Sequence, residues 1–190
     1  MEKEKNKLTF AFIGIKSCGK TSFINKLTVD KFKEEIPGTI GVTFSQFHLK
    51  EEKYDYKFID TSGDEKYFIW AKNYFKEIDA AILFYDITQV NSFEFLENTM
   101  KDIENKMFFL IGTKSDLEEK RIIPIEKAEE FCKMKNINFK GEISSKTMEQ
   151  VELQNLIIKQ ISLDVESEKL LKEKEKKNDI ECNNNCCILF

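Results

Sequence analysis

The chain has 190 residues, 41% of them apolar and 17 of them Phe, which is enough for one domain with a substantial core. Thirty basic side chains against 34 acidic ones give a formal charge of −4, so no electrostatic footprint for nucleic acid exists and a DNA- or RNA-binding role is excluded. The N-terminus has no apolar leader region, no run approaches the roughly 18 apolar residues of a membrane span, and the cysteines lack zinc-ligand spacing; a polypeptide made and kept in the cytosol is expected.

Residues 8–13 form an apolar run that reads as a buried strand, and residues 20–30 read as a helix. Between them Gly14-Ile15-Lys16-Ser17-Cys18-Gly19-Lys20-Thr21 matches the phosphate-loop pattern G-x-x-x-x-G-K-[ST], continued by Ser22. In a strand-to-helix setting the loop N–H groups cradle a pyrophosphate, Lys20 reaches the terminal phosphates and the Thr21 hydroxyl coordinates Mg2+. A nucleoside triphosphate is therefore the expected ligand, with the base still open.

Strand-like runs follow at residues 43–49 and 54–59, joined by a link too short for a parallel crossover, so an antiparallel edge hairpin is expected. The second run leads into Asp60-Thr61-Ser62-Gly63, where a carboxylate can hold Mg2+ through water and Gly63 lets the backbone approach a γ-phosphate. Next come a strand at residues 80–85, a helix at 92–104 and a strand at 107–111. That strand ends in Thr113-Lys114-Ser115-Asp116, and the Asp116 carboxylate can accept from both N1–H and the 2-amino group of guanine, a donor pair that adenine lacks. Pro124 opens a helix at residues 125–135. After a strand at residues 137–140, Glu142-Ile143-Ser144-Ser145-Lys146 would set a backbone N–H on the guanine O6, and a helix is expected over residues 149–163. From about Asp164 the core pattern fades into a charged, then asparagine-rich stretch that reads as a brief extension of this helix and then a mobile tether. The alternation of strands and helices predicts a doubly wound α/β sheet.

With these motifs in this order the chain resembles the Ras-like small GTPases, and within them the Rab family, over residues 8–163. Rab-like features are Thr39-Ile40-Gly41-Val42-Thr43-Phe44, Tyr85-Asp86-Ile87-Thr88 and Asn91-Ser92-Phe93. The resemblance implies a P-loop NTPase G domain: a six-stranded, mostly parallel sheet with one antiparallel edge strand and helices on both faces. It is flanked by an N-terminal extension over residues 1–7 and a tether over 164–190. It implies GTP/GDP and Mg2+ as cofactors, Phe32 against the guanine ring, Thr39 on Mg2+ and the γ-phosphate, and Lys114 beside the base. Thr21, Thr39 and Asp60 form the metal set; Lys20, Thr39, Gly63 and Asp64 form the catalytic set. Implied partners are effectors, an exchange factor, a GTPase-activating protein and a prenyl-escort or extraction protein, with a monomer that cycles to the cytosolic face of endomembranes in vesicle traffic. A Ras-like signalling role is the neighbouring alternative, and an adenine-using phosphotransferase is disfavoured by Asp116.

Four departures from the family pattern stand out. Asp64 replaces the glutamine that orients the attacking water; an anionic carboxylate there predicts slow intrinsic hydrolysis, or in the limit a persistently GTP-loaded scaffold. Lys16 stands where the family holds a small residue, and either leans inward toward the γ-phosphate or Asp64, or points to solvent. Thr113 replaces the usual asparagine, which shortens the arm that ties this loop to the phosphate loop. In the aromatic effector triad Phe44 and Tyr74 are present, but Ile59 replaces the tryptophan, with Trp70 a few residues away. The chain ends Cys186-Cys187-Ile188-Leu189-Phe190, a C-a-a-X arrangement with Phe last that favours geranylgeranylation. Two such lipids on Cys186 and Cys187, or one plus palmitate at Cys186 or Cys182, fit the absence of a polybasic patch, since residues 164–181 carry five basic and seven acidic side chains.

Overall fold

The computed structural model describes residues 6–48 and 53–186. Six strands, β1 (Asn6–Gly14), β2 (Val42–His48), β3 (Tyr54–Thr61), β4 (Ala80–Asp86), β5 (Met107–Thr113) and β6 (Asn138–Ile143), form one sheet in the order β2-β3-β1-β4-β5-β6. β1 pairs in parallel with β3 and β4, β4 with β5 and β5 with β6, while β2 runs antiparallel to β3 at the edge. The expected fold is the observed one. Because β1, β3, β4, β5 and β6 are mutually parallel, their C-terminal ends lie along one rim, the place where open α/β sheets take ligands.

β4 shows why the strands read as continuous apolar runs. Ala81, Leu83 and Tyr85 face one core cluster, with Phe68, Phe93 and Phe131, whereas Ala80, Ile82 and Phe84 face the other, with Phe12, Phe23 and Leu27. A strand covered on both faces needs apolar side chains at every position. Phe12 centres the second cluster: it stacks on Phe58 at 5.1 Å between ring centroids and meets Phe84 and Phe23 edge-on at 5.5 and 5.6 Å.

The major helices are α1 (Lys20–Val29), α3 (Ser92–Met100), α4 (Ile125–Lys135) and α6 (Gln160–Cys186); short α2 (Glu65–Phe68) and α5 (Gln150–Leu153) complete the set, with a π turn over Gln154–Lys159 joining α5 to α6. Two 3-10 segments, Lys72–Glu77 and Ser115–Lys120, were not expected from the sequence, nor was α2; each is too short for a helical period to show. The last helix differs most from expectation. It was expected to close near Leu163 with only a brief extension, and instead runs to Cys186. Its continuation is rich in Glu and Lys, carries no Gly or Pro, and includes the i,i+4 pair Glu168–Lys172, all of which favour helix. Lys140 to Asp164 at 2.5 Å, Lys169 to Asp79 at 2.6 Å and Lys53 to Glu166 tie its first turns to the sheet. Cys187 to Phe190, and with them half of the expected lipid-bearing cysteine pair, lie outside the described residues, as does most of the expected N-terminal extension.

Candidate nucleotide-binding site

The loops that leave the C-terminal rim enclose a cavity of about 490 Å3. β1 ends at Gly14, where an added Cβ would stand 2.5 Å from the Phe84 carbonyl oxygen; only glycine lets the chain turn there. Ser17 and Gly19 then take left-handed backbone, with φ of 62° and 98°. Gly19 is the N-cap of α1 and supplies no side-chain cap, and the first turn carries no acidic residue. The helix therefore opens on the cavity with uncommitted amides and the positive end of its dipole, a ready anion site. Buried Lys20 threads back under the loop and donates to the Gly14 and Ile15 carbonyls at 2.8 and 3.2 Å.

A second constellation sits beside this loop. Thr21 Oγ1 donates to Asp60 Oδ2 at 2.6 Å, Thr39 Oγ1 donates to the same oxygen at 3.3 Å, and the two hydroxyls are 3.2 Å apart. Asp60 is 3% exposed, and its Oδ1 is buried without a hydrogen-bond partner among the described residues. Burial pushes this carboxyl above its ordinary value, partly offset by the Thr21 hydroxyl and by Lys20. An orphaned buried carboxylate oxygen is costly. Two hydroxyls and a carboxylate, all hard oxygen donors beside a phosphate cradle, fit Mg2+. Thr21 and Thr39 line the cavity itself and Asp60 stands one layer behind them, which suits a carboxylate acting through water.

At the other end Asp116 and Lys114 line the cavity with Ser144, Ser145 and Lys146. Ser144 Oγ donates to Asp116 Oδ1 at 2.6 Å and accepts from the Lys146 and Thr147 amides at 3.2 Å each, so the serine hydroxyl fixes the Asp116 carboxylate and its own loop together. Lys114, with φ of 62°, pairs through Nζ with the fully buried Asp86 at 2.6 Å. Asp86 was read only as a family marker after the fourth strand; its place at a strand's C-terminal end beside the TKSD loop was the available signal. The shortened arm expected at Thr113 still spans the gap between the loops. Its Oγ1 reaches the Cys18 carbonyl at 2.6 Å and the Tyr85 carbonyl at 2.9 Å, so the shorter arm still ties the base loop to the phosphate loop.

Lys16, Ser17, Gly19, Ser22, Phe32, Gly63 and Asp64 all line the cavity as well, with Phe32 36% exposed. Gly14 and Cys18 do not: Gly14 lies beneath the loop and the Cys18 side chain is in the core, where burial raises its thiol pKa. Gly63 accepts from the Lys16 amide at 3.0 Å, and an added Cβ would meet Lys16 N at 2.2 Å. Lys16 is exposed, and its Cε lies 3.5 Å from where a Cβ on Gly38 would stand, beside Thr39. The Asp64 carboxylate caps α2, accepting from the Lys66 amide at 3.0 Å. Phe44 and Tyr74 pair edge-on at 5.0 Å beside buried Ile59, whereas exposed Trp70 lies over Gly41 rather than filling the missing tryptophan position.

A phosphate loop opening a helix, an oxygen-only metal set behind it and a carboxylate aimed at the base end define a P-loop nucleotide-binding G domain. A sequence model of the Ras family matches residues 9–163. The chain is 30% identical over 150 residues to the GTP-binding protein ypt4 of Schizosaccharomyces pombe, across 73% of this chain and 64% of that protein; it thus spans less than two thirds of that relative's length. The chain belongs to the Ras family of small GTPases. Among the described residues no helix is long and apolar enough to cross a membrane.

Proposed function

We propose that this protein is a Rab-like, Mg2+-dependent GTP/GDP switch that hydrolyses GTP slowly on its own and recruits effectors in vesicle traffic. The observation that carries this reading is the convergence of Thr21 and Thr39 on one oxygen of Asp60 while the other has no partner. One residue of that trio sits on the phosphate loop, one on the first switch segment and one on the strand before the second. Such an arrangement makes the position of the first switch depend on what the site holds.

On this reading the phosphates lie against the amides of residues 14–22. Lys20 exchanges the carbonyls of Gly14 and Ile15 for phosphate oxygens, and Thr21 and Thr39 turn their hydroxyl lone pairs to Mg2+. When bound, Mg2+ neutralises charge on the β- and γ-phosphate oxygens. The Gly63 amide approaches the γ-phosphate, Asp116 reads guanine, Lys114 and Phe32 flank the base, and Ser145 presents its amide to the guanine O6. Asp64 occupies the water-orienting position with an anion in place of an amide, so water attack is poorly supported and turnover is slow. Exchange factors, activating proteins, a prenyl-escort protein and effectors then time the cycle. Residues 8–163 form the GTPase domain behind a short extension over 1–7, and 164–190 form a tether, largely helical, whose Cys186 and Cys187 take lipid for the cytosolic face of an endomembrane.

A second reading, a persistently GTP-loaded scaffold, has one observation in its favour: the Asp64 carboxylate already accepts from the Lys66 amide. Competition of GTP and ATP for the purified chain tests the first reading at the level of the ligand, with GTP expected to displace ATP and the reverse order contradicting it. Multiple-turnover phosphate release with and without an activating protein separates switch from scaffold, since only the switch is accelerated. Mass analysis of the protein from cells tests lipid at Cys186 and Cys187.

A further inference from the structure

Lys146 and Glu34 are 112 residues apart in sequence, yet Lys146 Nζ donates to Glu34 Oε1 at 2.9 Å. Both residues line the nucleotide cavity. Lys146 belongs to the loop after β6, whose Ser144 holds the base-reading Asp116. Glu34 lies two residues beyond Phe32 in the segment between α1 and β2, which forms neither helix nor strand over residues 30–40. That segment leads to Gly38 and Thr39. Nothing in the phosphate, metal or base roles described above uses Glu34.

We propose that Glu34 is a nucleotide-retaining residue: paired with Lys146, it clasps the first switch segment to the base-reading loop across the cavity mouth and slows the escape of bound guanine nucleotide. The proposal rests on the reading of this cavity as a guanine-nucleotide site. A segment without ladder hydrogen bonds opens easily, so one tie near its Phe32 shifts the balance between closed and open mouth. The pair faces other charges, Lys33 on the strap beside Glu34 and Asp116 beneath Lys146. Its hydrogen bond holds the Glu34 carboxyl below and the Lys146 ammonium above their ordinary pKa values, so both are charged at neutral pH. With side-chain exposures of 76% and 50%, the pair is screened by solvent, and an effect of about two- to five-fold on release is expected rather than orders of magnitude. Because the clasp closes the base end, GDP and GTP escape are slowed alike, unlike the effect of any residue that touches the γ-phosphate.

The full chain is loaded with fluorescent GDP, or with a fluorescent non-hydrolysable GTP analogue, and chased with excess unlabelled nucleotide. The set is wild type, Glu34→Gln, Lys146→Gln, the double variant, and the swap of Glu34→Lys with Lys146→Glu. Each single variant is expected to release both nucleotides about two- to five-fold faster, the double no faster than the singles, and the swap to return toward wild type; raised salt narrows the gap between wild type and Glu34→Gln. Thermal melting of the nucleotide-free chains is expected to be the same across the set. Unchanged release from Glu34→Gln overturns the proposal, as do additive effects in the double variant or melting losses that track release. If wild type loads no guanine nucleotide at all, that failure is seen at the loading step; it removes the nucleotide reading and this proposal with it.

Discussion

The Thr113 hydroxyl lies 2.6 Å from the Cys18 carbonyl, 95 residues away in sequence, and so joins the loop after β5 to the phosphate loop directly. It is also within 2.9 Å of the Tyr85 carbonyl, and Thr113 itself is 3% exposed. Replacement by an isosteric apolar residue removes the single O–H that these two carbonyls share. Thr113→Val is expected to cost about 1–3 kcal/mol in a urea denaturation series and to speed nucleotide release. Equal stability and equal release would show that the tie carries nothing.

Lys16 joins both switches: its amide bonds the Gly63 carbonyl and its Cε packs over Gly38. A lysine that leans inward there would obstruct an incoming arginine from an activating protein. Lys16→Ser is expected to raise activator-stimulated hydrolysis severalfold. A stimulated rate that does not change counts against this placement of the side chain.

Gly112 is hemmed in under the base loop. A Cβ there would come within 2.6 Å of Glu142 Cγ and 2.7 Å of the Tyr85 ring and hydroxyl. Both neighbours are held in place, Tyr85 by its bond to Glu142 at 2.6 Å and Glu142 by two bonds to Arg121 at 2.9 and 2.6 Å. Gly112→Ala is expected to lose about 1–3 kcal/mol by overpacking and to weaken guanine binding, because Ser144 follows Glu142 by two residues. Calorimetric unfolding together with a GDP titration checks both parts.

The same network predicts a pH dependence. Burial alone would raise the Glu142 pKa, but hydrogen bonds from Arg121 and Tyr85 outweigh it, and the folded value lies below the ordinary 4.5. A depressed acid contributes stability above its unfolded pKa and loses it as pH falls through the folded value. The stability gap between wild type and Glu142→Gln is therefore expected to be full at neutral pH and to shrink as pH drops below 4.5. A gap independent of pH would mean that the charge is not what the network uses.

The fold was legible because the strands are uniformly apolar and the link between β2 and β3 is short; these two facts gave the sheet, its parallel body and its antiparallel edge. The phosphate loop, Asp60 and Asp116 were legible because their chemistry needs particular residues at fixed offsets from strand ends. What the sequence concealed depends on closeness in space. Lys114 with Asp86, Ser144 with Asp116 and Glu34 with Lys146 are separated by 28, 28 and 112 residues, and no local period marks them. Asp64 was read for its charge, its shortness and its missing amide donor, and its capping of α2 was missed because α2 is a single turn. The long α6 was missed because a charged stretch without a core-facing stripe reads as solvated chain, although Glu and Lys also favour helix.

The proposed function turns on a GTP switch whose intrinsic step is slowed at Asp64. Its most direct test is single-turnover hydrolysis of GTP preloaded on the purified chain with Mg2+, following bound nucleotide beside released phosphate, with Asp64→Gln in parallel. Slow turnover is expected from the unaltered protein and a faster rate from the glutamine variant, despite some loss of the α2 cap. Fast turnover by the unaltered protein, or a rate that the glutamine leaves unchanged or lowers, would contradict it.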